Sequence, residues 1–356
     1  MVEKVLVSGN EAIGYGAIFA DCTHYFGYPI TPQNELIEFM AREFPKLGRT
    51  FVQAESEFAS INMVCGAAAT GVRAMTSTAS TAFSLMQEGI SGIASMELPC
   101  VIVNVQRGGP GAGSTQHSQM DYFIATRGAH GGYKNIVLAP SSVQEAFDFI
   151  QLGFYLGDKY RIHVILLSDG IIGQMYESVV LKKSEYPELP EKEWAVKGSA
   201  NTNYMRSFIH NSPGIIGSYY DYLKRNDEKY KKIKENEVRY KLHEVEDADI
   251  ILVSYGSTSR VAREAMNKAR KAGINVGLIR PITLWPFPHK IINELAEKTK
   301  KFLVVEDCMG QMIEDVELAV KGKADIRLVG SLDRNLPTGS GMILSTVILE
   351  KIMNFT

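Results

Sequence analysis

The stretch Cys100-Val101-Ile102-Val103-Asn104-Val105, running on into Gln106-Arg107-Gly108-Gly109-Pro110-Gly111-Ala112-Gly113, decides how this chain folds. Its first six residues are nearly all apolar and do not alternate with polar ones. That is the pattern of a strand buried on both faces, and such strands belong to parallel sheets covered by helices. The strand delivers a glycine-rich loop at its carboxyl end, the end at which open α/β sheets bind their ligands. Outward from it, residues 50–54, 72–77, 136–138 and 163–167 are further short apolar runs, with helical patterns at 9–25, 58–71, 80–86 and 142–157. Strands alternating with helices predict an α/β fold, a doubly wound parallel sheet over residues 1–180.

Residues 181–246 differ. They contain Pro187, Pro190 and Pro213, a charged run at 224–229 and no strand signal, so they read as a linker with one polar helix over 219–242. Residues 247–356 open with Ala248-Asp249-Ile250-Ile251-Leu252-Val253 and continue as a second, smaller α/β unit, with strands at 276–279 and 302–306. A length of 356 residues fits two or three domains at roughly 150 residues each. The net charge of −2 gives no electrostatic footprint for nucleic acid or an anionic membrane. No run approaches about 18 apolar residues and the N-terminus has no signal-peptide pattern, so a cytoplasmic protein is expected. Cys22, Cys65, Cys100 and Cys308 are far apart and form no C-x-x-C pair, so they read as buried reduced thiols and no metal ligand set is assigned.

Three features could carry chemistry. In Gly27-Tyr28-Pro29-Ile30-Thr31-Pro32-Gln33, the prolines fix φ and push Tyr28 and Thr31 toward extended geometry. Asn34-Glu35-Leu36-Ile37 then reads as a helix with Thr31 as N-cap and Pro32 at the first position, an anion-friendly start. The same residues also fit an ordinary stiff turn. Glu57 heads an almost uncharged, small-residue helix that belongs in a core or a tight interface. A carboxyl in so dry a setting can share or donate a proton, although a first-turn acid is equally favoured by the helix dipole alone. Glu55 competes with it. Arg107 offers a two-pronged donor for a carboxylate beside glycines that admit a ligand, or else a surface ion-pair partner. His117 and His130 read as polar loop residues.

Taken together, Tyr28-Pro29-Ile30-Thr31-Pro32, Gln53-Ala54-Glu55-Ser56-Glu57, Gln106-Arg107-Gly108-Gly109-Pro110 and Ala139-Pro140-Ser141-Ser142 resemble the 2-oxoacid:ferredoxin oxidoreductases, in particular the subunit with the pyrimidine-side thiamine diphosphate domain. Residues 247–356, with Ser254-Tyr255-Gly256-Ser257, Arg280-Pro281-Ile282-Thr283-Leu284-Trp285-Pro286 and Val304-Val305-Glu306-Asp307, resemble the transketolase carboxyl-terminal type of domain. The resemblance implies oxidative decarboxylation of a 2-oxoacid, with the acyl group passed to coenzyme A and electrons to ferredoxin. It implies that Glu57 hydrogen-bonds the aminopyrimidine N1′ of thiamine diphosphate, beside Tyr28, Pro29 and Ile30, and that Thr31 and Arg107 hold the substrate carboxylate. Diphosphate and Mg²⁺ are implied on a beta-type partner and iron–sulfur clusters on a ferredoxin-like partner, with a gamma-type subunit completing an assembly without which the chain is inactive. The segment Arg107 to Phe123 looks most like the branched-chain, 3-methyl-2-oxobutanoate type. A 2-oxoglutarate enzyme is the alternative and needs a further cation, from His117, Arg127 or a partner lysine. A non-catalytic scaffold subunit is a further alternative.

Overall fold

In the computed structural model, described over residues 4–198, 218–334 and 341–355, the strand Cys100–Gly108 lies within the main sheet with a parallel neighbour on each side. Its residues from Cys100 to Gln106 are all buried, as an apolar run without alternation requires. Among the described residues the sheet has eight strands. Their order is Thr283–Trp285, Ile136–Leu138, His163–Asp169, Cys100–Gly108, Ala74–Thr78, His24–Gly27 and Thr50–Gln53, with Ser114–His117 folded back on Cys100–Gly108. All neighbours are parallel except Thr283–Trp285 and Ser114–His117. The helices pack closely because small residues face them. A Cβ on Gly16 of helix Gly9–Phe19 would lie 2.6 Å from the Phe147 carbonyl of helix Val143–Tyr160.

A second sheet runs Tyr240–His243, Val276–Pro281, Ile250–Ser254, Lys301–Val305 and Asp325–Val329, parallel apart from its first strand. Its apolar residues, among them Leu252, Leu278 and Leu303, form a core with Ala262, Met266 and Ile348. The two sheets are joined through side chains. Gln119 donates to the Tyr255 carbonyl at 3.0 Å and accepts from the Asp307 N–H at 2.9 Å.

Two expected elements differ from those observed. The helix expected over 9–25 stops at Phe19, and His24–Gly27 is an interior strand of the main sheet. Asp21 has φ +54, a left-handed turn that ends the helix before the aromatic pair Tyr25-Phe26 extends. The polar helix ends at Asn236 rather than Leu242, and Tyr240–His243 pairs antiparallel with Val276–Pro281. An edge strand reading Tyr-Lys-Leu-His has too little apolar signal to be seen in the sequence. Pro213 lies outside the described residues. Cys22, Cys100 and Cys308 are buried free thiols, and Cys65 is half-buried.

Candidate active site

Because the strands are parallel, their carboxyl ends share one edge of the sheet. His24–Gly27 ends in register with Thr50–Gln53, so the turn Tyr28 to Thr31 and the segment leading to Glu57 emerge side by side. Ala74–Thr78 ends opposite Asn104, which places Ser80 beside Arg107 near the end of Cys100–Gly108. Thr31, Glu57 and Arg107 therefore all emerge at the same edge.

The turn is held from below. Gln33, fully buried, donates to the Tyr28 carbonyl at 3.1 Å and accepts at 2.6 Å from Ser77, whose hydroxyl also contacts the Tyr25 hydroxyl at 2.5 Å. Asn10 donates to the Pro32 carbonyl at 2.9 Å. These bonds fix the turn before any ligand arrives. Thr31 does not cap a helix, contrary to the expectation. The helix is Asn34–Glu43, preceded by Gln33 without a side-chain cap, and the Thr31 hydroxyl accepts at 3.3 Å from Asn34 Nδ2. Gln33 is drawn into the sheet by Ser77, so the first helical turn starts two residues later than Pro32. Pro29 is exposed, while Tyr28 and Ile30 are half-buried.

Glu55 and Glu57 separate clearly. Glu55 is exposed, whereas Glu57 opens helix Glu57–Ala69 and is only 6% exposed. Among the described residues no protein group donates to its carboxylate. The side chain is mostly buried while its carboxylate oxygens stay open to solvent, which leaves them free to accept a hydrogen bond from a ligand. The small-residue helix, expected in a core or a tight interface, buries one face and leaves the other open, with Phe58 50% exposed and Asn62 and Gly66 also at the surface.

Arg107 meets the turn directly. Its Nη1 donates to the Thr31 carbonyl at 2.8 Å and its Nη2 to the Ala112 carbonyl at 3.1 Å, while Nε is buried without a hydrogen-bond partner among the described residues. The guanidinium is thus held between the turn and the glycine-rich loop. Clefts of about 540 Å³, beside Trp194, and about 770 Å³, beside Trp285, lie elsewhere and are lined by none of these three residues.

His117 departs from the expected polar loop residue. It is not a free loop residue: its Nε2 lies 3.0 Å from Asp307 and its Nδ1 3.7 Å from Asp169, at the junction of the two sheets. Burial disfavours the charged ring, but Asp169 and Asp307 outweigh it and hold the His117 pKa above the ordinary imidazole value, against a smaller opposing effect of Arg334. Arg127 donates to Asp315 at 3.0 Å. His130 is exposed, with Nε2 at 3.3 Å from Ser91 Oγ.

Sequence reading missed Gln33, Ser80, Asn104, Gln106 and Asp121. One signal was available: Asn104 and Gln106 are polar residues in a strand otherwise read as core, and a buried amide needs partners. Asn104 donates to Asp121 Oδ2 at 2.9 Å, and Gln106 accepts from the Asp121 N–H at 3.1 Å. Burial pushes the Asp121 carboxyl up, against hydrogen bonds from Ser80 and Asn104.

Comparison with known proteins decides the family. The model for the thiamine diphosphate-binding region of pyruvate flavodoxin/ferredoxin oxidoreductases matches residues 15–242, and that for pyruvate:ferredoxin oxidoreductase core domain II matches residues 248–342. The chain belongs to the 2-oxoacid:ferredoxin oxidoreductase family. It is 48% identical to the ketoisovalerate oxidoreductase subunit VorB of Methanothermobacter thermautotrophicus, covering 98% of this chain and 96% of that protein. It is 38% identical to the 2-oxoglutarate synthase subunit KorA of Methanocaldococcus jannaschii, covering 93% and 95%. Among solved structures, the 2-oxoglutarate:ferredoxin oxidoreductase of Magnetococcus marinus, with 2-oxoglutarate, coenzyme A and succinyl-CoA bound, aligns with a TM-score of 0.85 at 26% identity, over 99% of this chain and 65% of that one. A split-gene transketolase aligns with a TM-score of 0.59 at 13% identity, over 98% of each chain, a likeness of fold alone. This family of oxidoreductases is thiamine diphosphate-dependent and the chain is one of its subunits. Among its described residues no helix is long and apolar enough to cross a membrane.

Proposed function

We propose that the edge formed by Thr31, Glu57 and Arg107 is the substrate and cofactor face of a subunit that oxidatively decarboxylates 3-methyl-2-oxobutanoate to an acyl-CoA and CO₂, reducing ferredoxin. The observation that carries this is that Glu57, a mostly buried residue with no donor among the described residues, and an arginine bonded to the Thr31 turn emerge at the same end of one parallel sheet. Glu57 shares a proton with the aminopyrimidine N1′, with Tyr28, Pro29 and Ile30 lining the same side. Thiamine diphosphate, when bound, supplies the electron sink for decarboxylation. Arg107 and the Thr31 hydroxyl hold the 2-oxoacid carboxylate, and the hydrogen bonds beneath the turn keep the hydroxyl in place.

The open edge calls for a second chain to close it. In this reading a beta-type partner brings the diphosphate site and Mg²⁺, a ferredoxin-like partner brings the iron–sulfur clusters, and a gamma-type subunit completes a cytoplasmic assembly. Residues 1–180 serve as the pyrimidine-side domain, 181–246 as the linker and 247–356 as the transketolase-like domain, except that Tyr240–His243 belongs to the second sheet and Thr283–Trp285 to the main one. The branched-chain substrate is favoured over 2-oxoglutarate because His117 and Arg127, the two cations of this chain considered for a second carboxylate, are engaged by Asp169 and Asp307 and by Asp315. The higher identity to the ketoisovalerate subunit points the same way. The test is a panel of pyruvate, 3-methyl-2-oxobutanoate, 2-oxoglutarate and an aryl pyruvate on the assembled complex, read by viologen reduction. The highest kcat/KM is expected for 3-methyl-2-oxobutanoate, and a highest value for 2-oxoglutarate would reverse the assignment.

A further inference from the structure

We propose that Ser80 and Asp121 are positioning residues that set where Arg107 presents its guanidinium. The proposal rests on the reading of Arg107 as the carboxylate-binding group. Ser80 follows the strand Ala74–Thr78 and has φ +29, a left-handed conformation that a residue with a side chain rarely adopts. Several bonds hold it there. Its N–H donates to Asn104 Oδ1 at 2.9 Å, and its hydroxyl donates to Asp121 Oδ2 at 2.5 Å. The same hydroxyl accepts the Arg107 N–H at 2.8 Å.

The chain of bonds therefore runs from a buried carboxylate, through one hydroxyl, to the backbone of the arginine. Asp121 is itself fixed by Asn104 and Gln106, neither of which is exposed. Next to Ser80, Thr81 donates to the Gly111 carbonyl at 2.7 Å, so the turn after Ala74–Thr78 also holds the loop whose Ala112 carbonyl Arg107 reaches. Strain held in place by surrounding hydrogen bonds is characteristic of functional sites. Here it aligns the end of Cys100–Gly108 with the Thr31 turn. Both donors to Asp121 use the single oxygen Oδ2, so an amide oxygen in that place can serve as well as a carboxylate.

The test uses the assembled complex and viologen reduction. Ser80→Gly removes the hydroxyl, and glycine adopts positive φ without steric cost, so this variant is expected to fold. Its KM for the 2-oxoacid should rise roughly tenfold with kcat and thiamine diphosphate affinity little changed, within the ~100-fold that a misplacement of about 1 Å can cost. Asp121→Ala should behave alike, and Asp121→Asn should recover most of the lost KM. In the double variant with Arg107→Ala the Ser80→Gly effect should vanish, because the two act as one unit. A Ser80→Gly KM that stays at the wild-type value while Arg107→Ala raises it overturns the positioning role alone. An Arg107→Ala KM equal to wild type overturns the reading of Arg107 and the positioning role with it. Equal losses in kcat and thiamine diphosphate affinity would mark Ser80 as merely structural and also overturn it.

Discussion

Arg107 donates a 2.8 Å hydrogen bond to the carbonyl of Thr31, which lies 76 positions earlier in the chain. The bond joins the glycine-rich loop to the proline turn and leaves Nε buried without a partner among the described residues. Replacing Arg107 with alanine should raise KM for the 2-oxoacid about tenfold or more, the scale of a lost charge-assisted hydrogen bond. Steady-state kinetics on the complex check this, and Arg107→Lys should restore little of it because lysine lacks the planar fork.

Gln33 supports the same turn from inside the sheet. Gln33→Ala would leave the Ser77 hydroxyl and the Tyr28 carbonyl short of partners in a buried setting. A loss of about 1–3 kcal/mol is expected, and chemical unfolding of the variant should show it as a lower midpoint. An unchanged midpoint would mean that the turn does not depend on this amide.

His117 gives the junction of the two sheets a pH dependence. Its pKa is raised in the folded chain, by Asp169 and Asp307 against burial and Arg334, so its contribution is complete below the unfolded imidazole pKa. That contribution is lost as pH rises through the higher folded value. The urea midpoint should therefore fall over this interval on the alkaline side of the ordinary imidazole pKa, and His117→Gln should flatten the fall. Ser257, whose hydroxyl lies 3.4 Å from Nε2, adds no charge to this balance.

Much of the fold could be read from Cys100 to Val105, because a strand buried on both faces admits few architectures. Glu57 and Arg107 stand out by type and position, and both lie at the carboxyl ends of the main sheet's strands. The interior strand His24–Gly27 was not, because apolar residues of the preceding helix run into it and a left-handed Asp21 marks the break. Tyr240–His243 was hidden by its polar edge position. His117 was misread because the two acids that bury it come from residues 169 and 307, and no local pattern brings such distant positions together. Ser80 was passed over for a similar reason: its partners Asn104, Arg107 and Asp121 meet it only once the sheet has formed.

Glu57 bears most of the proposed chemistry. It is buried to 6% exposure and has no donor from the described residues, so its partner is expected to be the cofactor. The most direct measurement is 2-oxoacid-dependent viologen reduction by the assembled complex carrying Glu57→Ala, with thiamine diphosphate and Mg²⁺ supplied. A fall in kcat of about 10²- to 10⁴-fold is predicted, the range for loss of a positioned acid–base group. A wild-type rate in that variant would contradict the assignment of this edge as the active site.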